Sequence, residues 1–127
     1  MKQSELTVIT KAKDLCSYVM TVTQKSPKQF RFTFTSRLQN LSLDTIECLY
    51  RANDTFVTKD TPEEKEKRKE FQHQAMTSVR LLCYFSLLAM EQECILPKQY
   101  EQISKRGAEC LRLIGAWISS DRKRLQP

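Results

Sequence analysis

Glycine and proline are scarce in this chain, whose 127 residues include 2 glycines and 4 prolines. Domains built from β-strands need many turns, and turns use both residue types. The shortage therefore argues against an all-β domain and favours long helices. No apolar run approaches the ~20 residues that a transmembrane helix needs, so we expect no association with a membrane. The length suits one domain, and we assign residues 1–127 to it.

Motifs for catalysis and metal binding are also missing. The single histidine, His73, has no cysteine near it in the sequence, and neither a glycine-rich phosphate loop nor a nucleophile motif occurs. The five cysteines follow no metal-ligand spacing and are odd in number, and Met1 to Lys13 shows no leader pattern. These features predict free thiols in the cytoplasm. We therefore expect a non-enzymatic protein with no cofactor and no metal.

Acidic side chains are outnumbered by basic ones. The chain has 21 lysines and arginines against 15 aspartates and glutamates, which gives a net charge of +6. Such a field attracts polyanions, nucleic acid among them, but it also favours simple solubility. Charge alone leaves both interpretations open.

Apolar residues recur at three- and four-residue steps in four segments, which predicts four amphipathic helices. Their predicted ranges are about Ser4 to Gln24, Thr33 to Val57, Thr61 to Glu93 and Pro97 to Arg122. Four such helices with short links predict an all-α protein, an antiparallel up-and-down four-helix bundle. Apolar stripes broader than one small bundle can bury suggest self-association.

Two details of these helices are predicted from local sequence. Thr61 is expected to cap the third helix, with Pro62 at the first helical position. The turns from Glu63 to Glu70 are charged all round, so we expect them to form a solvated overhang. We expect the basic tail, about residues 122–127, to be frayed.

The segment from Lys25 to Arg37 contains four basic residues and no acidic one, with three phenylalanines between them. Basic side chains can neutralise phosphates, and exposed aromatic rings can stack on bases. The candidate binding residues here are Lys28, Arg31 and Arg37, for which surface ion pairing is the alternative. We expect Phe32 and Phe34 to anchor the start of helix 2 in the core, since burial is the commoner use of aromatic rings.

Helix 4 carries a second set of candidate cations, Lys105, Arg106 and Arg112. Lys105 and Arg112 are seven residues apart and share a face, and Glu109 is placed to pair with Lys105. A solvated helix face is the alternative. Helices 2 and 4 begin at the same end of an up-and-down bundle, so we expect Lys105 to lie near Lys28.

Short blocks of residues stand out at the start of helix 2, along it and in helix 4, namely Pro27-Lys28, Phe30-Arg31-Phe32-Thr33, Arg37-Leu38, Asp44, Leu49, Ala52-Asn53, Gln99-Tyr100-Glu101-Gln102-Ile103 and Gly115-Ala116-Trp117-Ile118. The start of helix 2 resembles that of the accessory variability determinant (Avd) proteins of diversity-generating retroelements, and the last helix resembles theirs. A wider relative is the group of bundle proteins encoded in intervening sequences of large-subunit ribosomal RNA genes. The likeness extends from Leu6 to Ile118, with departures at Ser26, Lys28 and Ala116.

The resemblance implies a four-helix protomer in a ring-shaped homopentamer with a basic surface. It also implies binding to the element's reverse transcriptase and to nucleic acid, in support of mutagenic copying of a template repeat into a variable gene. Our first hypothesis is therefore an accessory protein that binds RNA, DNA or both with low sequence specificity. The alternative is a four-helix protein-interaction module with no nucleic-acid role.

Overall fold

Regular structure in this protein is entirely helical across the described residues. The computed structural model describes residues 3–126, and the side chains of residues 7–126. The α-helices are α1 (Gln3–Thr23), α2 (Ser36–Asp54), α3 (Pro62–Glu91) and α4 (Pro97–Arg124). A 3₁₀ turn, Lys28–Phe30, and a π-helical turn, Arg31–Thr35, lead into α2. The prediction of an all-α protein with four helices is confirmed.

The helices pack around one apolar core. Helix α1 contacts α2 and α4, and α3 also contacts both α2 and α4, as in a helical bundle. Each helix contributes fully buried side chains, which include Leu15, Leu38, Leu49, Leu82, Ile103, Ile114 and Trp117. Amphipathic stripes of this kind associate because burial removes apolar surface from water.

Prolines mark the starts of α3 and α4. Pro62 and Pro97 each occupy a first-turn position, where the missing N–H is not needed for the helix. Thr61 occupies the N-cap position of α3, as predicted, but its side chain makes no capping hydrogen bond. Its hydroxyl instead accepts the N–H of Thr58 at 2.9 Å and donates to the Thr58 carbonyl at 3.0 Å, so it closes the preceding turn.

The predicted overhang at the start of α3 is packed against the end of α4. The Arg68 guanidinium is buried and forms two bonds to Asp121, with Nε to Oδ2 at 2.8 Å and Nη2 to Oδ1 at 3.1 Å. Gln72 donates to the same carboxylate at 3.0 Å, and the Arg68 guanidinium lies 4.9 Å from the Trp117 ring centroid. The expectation of a solvated overhang was wrong because a carboxylate 53 residues away neutralises this arginine.

Helical structure continues into the basic tail. Arg124 pairs with Asp121 at 2.8 Å, Leu125 is buried, and the Leu125 carbonyl accepts a bond from Lys65 Nζ at 2.8 Å. The prediction of fraying is therefore wrong for residues 122–125, and Pro127 lies outside the described residues.

All five cysteines are free thiols, as predicted. Cys16, Cys94 and Cys110 are buried, and Cys48 and Cys83 are half-buried. Burial raises the pKa of the Cys110 thiol to about 12 and also raises the pKa of Cys83. The Cys83 and Cys110 thiols therefore stay protonated near neutral pH and pack as small apolar groups.

Gly107 lets α4 approach α3 closely. A Cβ at this position would lie 2.5 Å from Cys83 Sγ, whereas a Cβ at Gly115 would meet no atom within 4 Å. We expect Gly115→Ala to stabilise the protein by ~0.5–1 kcal/mol, because alanine favours the helix. For Gly107→Ala, crowding of ~1–3 kcal/mol should exceed that gain. Urea denaturation measures both, and equal stabilisation by the two variants would contradict this packing. Adding Cys83→Ala should relieve the Gly107→Ala loss.

Candidate nucleic-acid interface

The connector between α1 and α2 is held in short, tight turns. Pro27 is extended, with φ −57° and ψ 142°, and its carbonyl accepts the N–H of Phe30 at 3.1 Å. Helical structure resumes as the 3₁₀ turn and passes through the π-helical turn into α2. The segment is therefore helical from Lys28 onward, but its pitch changes twice. It changes from 3₁₀ to π after Phe30 and from π to α after Thr35.

The three phenylalanines of this segment have different environments. Phe30 and Phe34 are partly buried against the core, with ring centroids 6.0 Å apart. Phe32 points away from them and is 88% exposed. The prediction of a core position is confirmed for Phe34 as a partly buried ring and is wrong for Phe32. Phe30 and Phe34 are four residues apart and share a helical face, whereas Phe32, midway between them, lies on another face.

The candidate cations of this segment are exposed, and Arg37 shares a groove with the exposed Phe32 ring. Lys28, Arg31 and Arg37 are all exposed. The Arg37 guanidinium lies 5.6 Å from the ring centroid of Phe85 on α3, which orients its charge over an aromatic face. An open groove of about 520 Å³ lies here between α2 and α3, and its lining consists of Phe32, Thr33, Phe34, Ser36, Arg37, Asn40 and Phe85.

Farther along α2 and α3, the outer surface is acidic. Asp44, Glu47 and Glu70 line a second groove together with His73, which is exposed. Burial raises the pKa of the neighbouring Cys48 thiol, and the negative charges of Asp44 and Glu47 raise it further. The acidic side chains of this surface thus lie away from Arg37, and one of them, Glu47, pairs with Arg51 at 3.1 Å.

The cations of α4 face α1. Lys105 is exposed, and Arg106 is half-buried with its guanidinium 4.2 Å from the Tyr18 ring centroid. Arg106 Nη1 also donates to Gln102 Oε1 at 2.7 Å, which fixes the side chain along the helix. A groove of about 640 Å³ between the two helices is lined by Lys11, Asp14, Ser17, Tyr18, Thr21, Lys105, Arg106 and Glu109.

Arg112 is already engaged by an acidic partner. Its Nη2 lies 2.7 Å from Glu109 Oε1, and its Nε lies 3.1 Å from Glu109 Oε2. The hydrogen bond from Arg112 lowers the pKa of the Glu109 carboxyl, and the same contact raises the pKa of Arg112. Among the described residues Glu109 thus pairs with Arg112 rather than with Lys105, so Arg112 offers less free charge than expected.

The six candidate cations fall into two sets. Arg37 stacks on α3, whereas Arg106 stacks on α1. Among the side chains of residues 7–126, no hydrogen bond, ion pair or ring contact joins the first set to the second. The first set is Lys28, Arg31 and Arg37, and the second is Lys105, Arg106 and Arg112. The sequence did not lead us to expect that Phe32 is exposed or that Tyr18 stacks with an arginine. The signal for Phe32 was available, since it lies two residues from both Phe30 and Phe34.

Other kinds of site receive no support within the described range. No group of three or more His, Cys, Asp or Glu side chains among those residues could hold a metal ion. No described helix is long and apolar enough to cross a membrane. Comparison with known proteins found no matching family model, no matching curated protein and no matching solved structure.

Proposed function

We propose that this chain is a non-enzymatic, cytoplasmic accessory protein of a diversity-generating retroelement. In this role it binds nucleic acid and the element's reverse transcriptase and supports mutagenic retrohoming. The observation that carries the proposal is the acid-free segment Lys25 to Arg37, whose cations Lys28, Arg31 and Arg37 are exposed beside an exposed aromatic ring. The resemblance of this segment to Avd proteins supports the same role.

The proposal includes an antiparallel, up-and-down order of the helices. Gln39 near the start of α2 donates to Thr23 at the end of α1 at 2.9 Å. Arg68 near the start of α3 pairs with Asp121 near the end of α4. The first contact joins the end of α1 to the start of α2, and the second joins the start of α3 to the end of α4, as expected when helices consecutive in the chain run in opposite directions.

The proposal also includes self-association, most simply as a homopentamer. Large apolar side chains remain on the surface of the protomer, and they include Leu43, Tyr50, Phe56, Leu81, Tyr84 and Leu96. Contiguous patches of such side chains mark surfaces that another protein covers, which is the role assigned to them here. Sedimentation at micromolar concentration tests the assembly, and a monomer alone would contradict it.

Binding to nucleic acid in this proposal is directed at the phosphate backbone. Exposed lysines and arginines release counterions from phosphates, so affinity falls steeply with salt. A surface that neutralises ~5 phosphates gives a log–log slope of about −4 to −5 on duplex DNA. No described element presents base-reading side chains in the manner of a groove-binding motif, so low sequence specificity is expected.

The test is binding of the whole protein to mixed-sequence RNA and DNA across a salt series. We expect Arg31→Glu with Arg37→Glu to weaken binding at low salt and to make the slope shallower by roughly 2, since two phosphate contacts are lost. Lys59→Glu with Lys67→Glu is the matched control, because it changes the net charge equally at exposed positions near the start of α3. Circular dichroism and sedimentation verify that each variant folds and assembles.

A protein-interaction module without a nucleic-acid role is the second candidate. The exposed apolar side chains of α2 and α3 favour this module, because such side chains can pack against a protein partner. It takes precedence if the wild type shows no salt-dependent binding, or if the Arg31/Arg37 variant binds as tightly as the wild type. A neighbouring reverse-transcriptase gene with paired template and variable repeats would support the first candidate.

A further inference from the structure

Phe32 is the most exposed large apolar side chain in the part of the protein that the structure describes, at 88%. Burying a phenylalanine ring stabilises a fold, so a ring left in solvent contributes little to folding. The neighbouring rings show that the core is within reach, since Phe30 and Phe34 both pack against it. Folding therefore does not account for an aromatic residue at position 32.

The backbone that presents this ring is unusual. Arg31–Thr35 forms a π-helical turn, a conformation that makes up well under ~1% of residues and occurs frequently at functional sites. The turn keeps Phe30 and Phe34 on the core side, with Phe32 on the opposite side. A rare backbone conformation and an exposed ring thus coincide in five residues.

The surroundings of Phe32 are basic and polar. From Lys25 to Leu43 the sequence contains no acidic residue, and Lys28, Arg31 and Arg37 are exposed. Thr33, Ser36 and Asn40 line the adjoining groove and offer hydrogen-bonding groups, and Phe85 in the same groove carries the Arg37 guanidinium. An exposed ring in a segment with cations and no carboxylates matches the surfaces that hold unpaired bases and their phosphates.

We propose that Phe32 is a stacking platform for an unpaired base, so that this surface binds single-stranded RNA or DNA in preference to duplex. The inference rests on the proposed function and narrows its ligand class. In a duplex both faces of each base are already stacked, so the ring gains a partner only when a base is unpaired. The cations hold the flanking phosphates of either form, and Phe32 supplies the preference for single strands.

The experiment measures affinity for labelled 20-nucleotide single strands of RNA and DNA and for duplexes of the same sequence. Proteins compared are the wild type, Phe32→Ala, Phe32→Tyr and the control Phe56→Ala, which removes another ring, 79% exposed, beyond the end of α2. We expect Phe32→Ala to weaken single-strand binding roughly 5- to 150-fold, the loss of one stacked base. Duplex affinity and the salt slope should stay unchanged, because no charge is removed. Phe32→Tyr should restore single-strand binding, and Phe56→Ala should match the wild type.

Other outcomes separate the inference from the proposed function. Salt-dependent binding that is equal for single strands and duplexes, or a single-strand affinity that is unchanged in Phe32→Ala, overturns the platform and leaves the proposed function standing. Failure of the wild type to bind any nucleic acid overturns both. Vesicles of phosphatidylglycerol and phosphatidylcholine are a further probe. If Phe32→Ala abolishes binding to those vesicles while single-strand binding is intact, the ring is a membrane contact and the platform is overturned.

Discussion

Asp121→Asn is expected to lower the free energy of unfolding by about 3–5 kcal/mol, the usual cost of removing one partner from a buried ion pair. The substitution leaves the buried Arg68 guanidinium without the carboxylate that holds both its Nε and its Nη2. Arg124 loses the same partner at the end of α4. A domain of this kind is stable by ~5–15 kcal/mol in total, so the loss is a large fraction of its stability. Urea denaturation followed by circular dichroism measures it.

Glu109→Gln is the matched control for this prediction. It also removes a carboxylate from an arginine, but the Arg112–Glu109 pair is solvent-exposed, so we expect no measurable change in the free energy of unfolding. Combining Asp121→Asn with Arg68→Met removes both buried charges and should recover part of the loss. Equal costs for Asp121→Asn and Glu109→Gln would show that the buried pair has no special weight.

Trp117→Ala is expected to destabilise the protein by about 3–5 kcal/mol, because it leaves a large cavity in the core. The indole is fully buried in α4, and one of its faces lies beneath the Arg68 guanidinium. The variant thus loses core packing and a cation–π contact together. Trp117→Phe retains a ring at this position and should cost less. Since Trp117 is the only tryptophan, far-UV circular dichroism rather than fluorescence follows the unfolding.

Tyr50→Ala provides the comparison, because it deletes an aromatic side chain that is 55% exposed on α2. Its effect should stay within ~0.5 kcal/mol, as for most surface substitutions. If Trp117→Ala costs no more than Tyr50→Ala, the ring is not part of a close-packed core.

Local signals in the sequence were enough to place the helices. Pro62 and Pro97 stand at the starts of α3 and α4 as predicted, since proline tolerates only those helical positions. The end of α2 was predicted three residues too late, at Val57 instead of Asp54. Thr55 is extended there, with ψ 110°, and bonds its N–H to the carbonyl of Ala52.

Long-range partners were not predictable from local sequence. The charged run around Arg68 has the composition of a solvated helix, and nothing near it indicates that Asp121 will face it. The exposure of Phe32 was missed for another reason. The tendency of aromatic rings to be buried was given more weight than the four-residue spacing of Phe30 and Phe34, which leaves Phe32 on the other side.

The grooves that hold the candidate cations depend on helix packing rather than on spacing along the chain. Arg37 and Arg106 both looked like free surface charges in the sequence. Each is instead stacked on a ring from a neighbouring helix, Phe85 of α3 and Tyr18 of α1 respectively. The sequence could identify these residues as candidates, but it could not show which of them share a surface.

The bond between Arg68 and Asp121 also sets an order of events during synthesis. The two residues are 53 positions apart, so a ribosome that adds ~5–20 residues per second makes Asp121 about 3–10 seconds after Arg68. During that interval α3 has neither the carboxylate nor the Trp117 ring that its arginine contacts in the folded protein. The apolar face of α3 is therefore exposed in the growing chain, and this is the stage at which chaperone binding would protect it most.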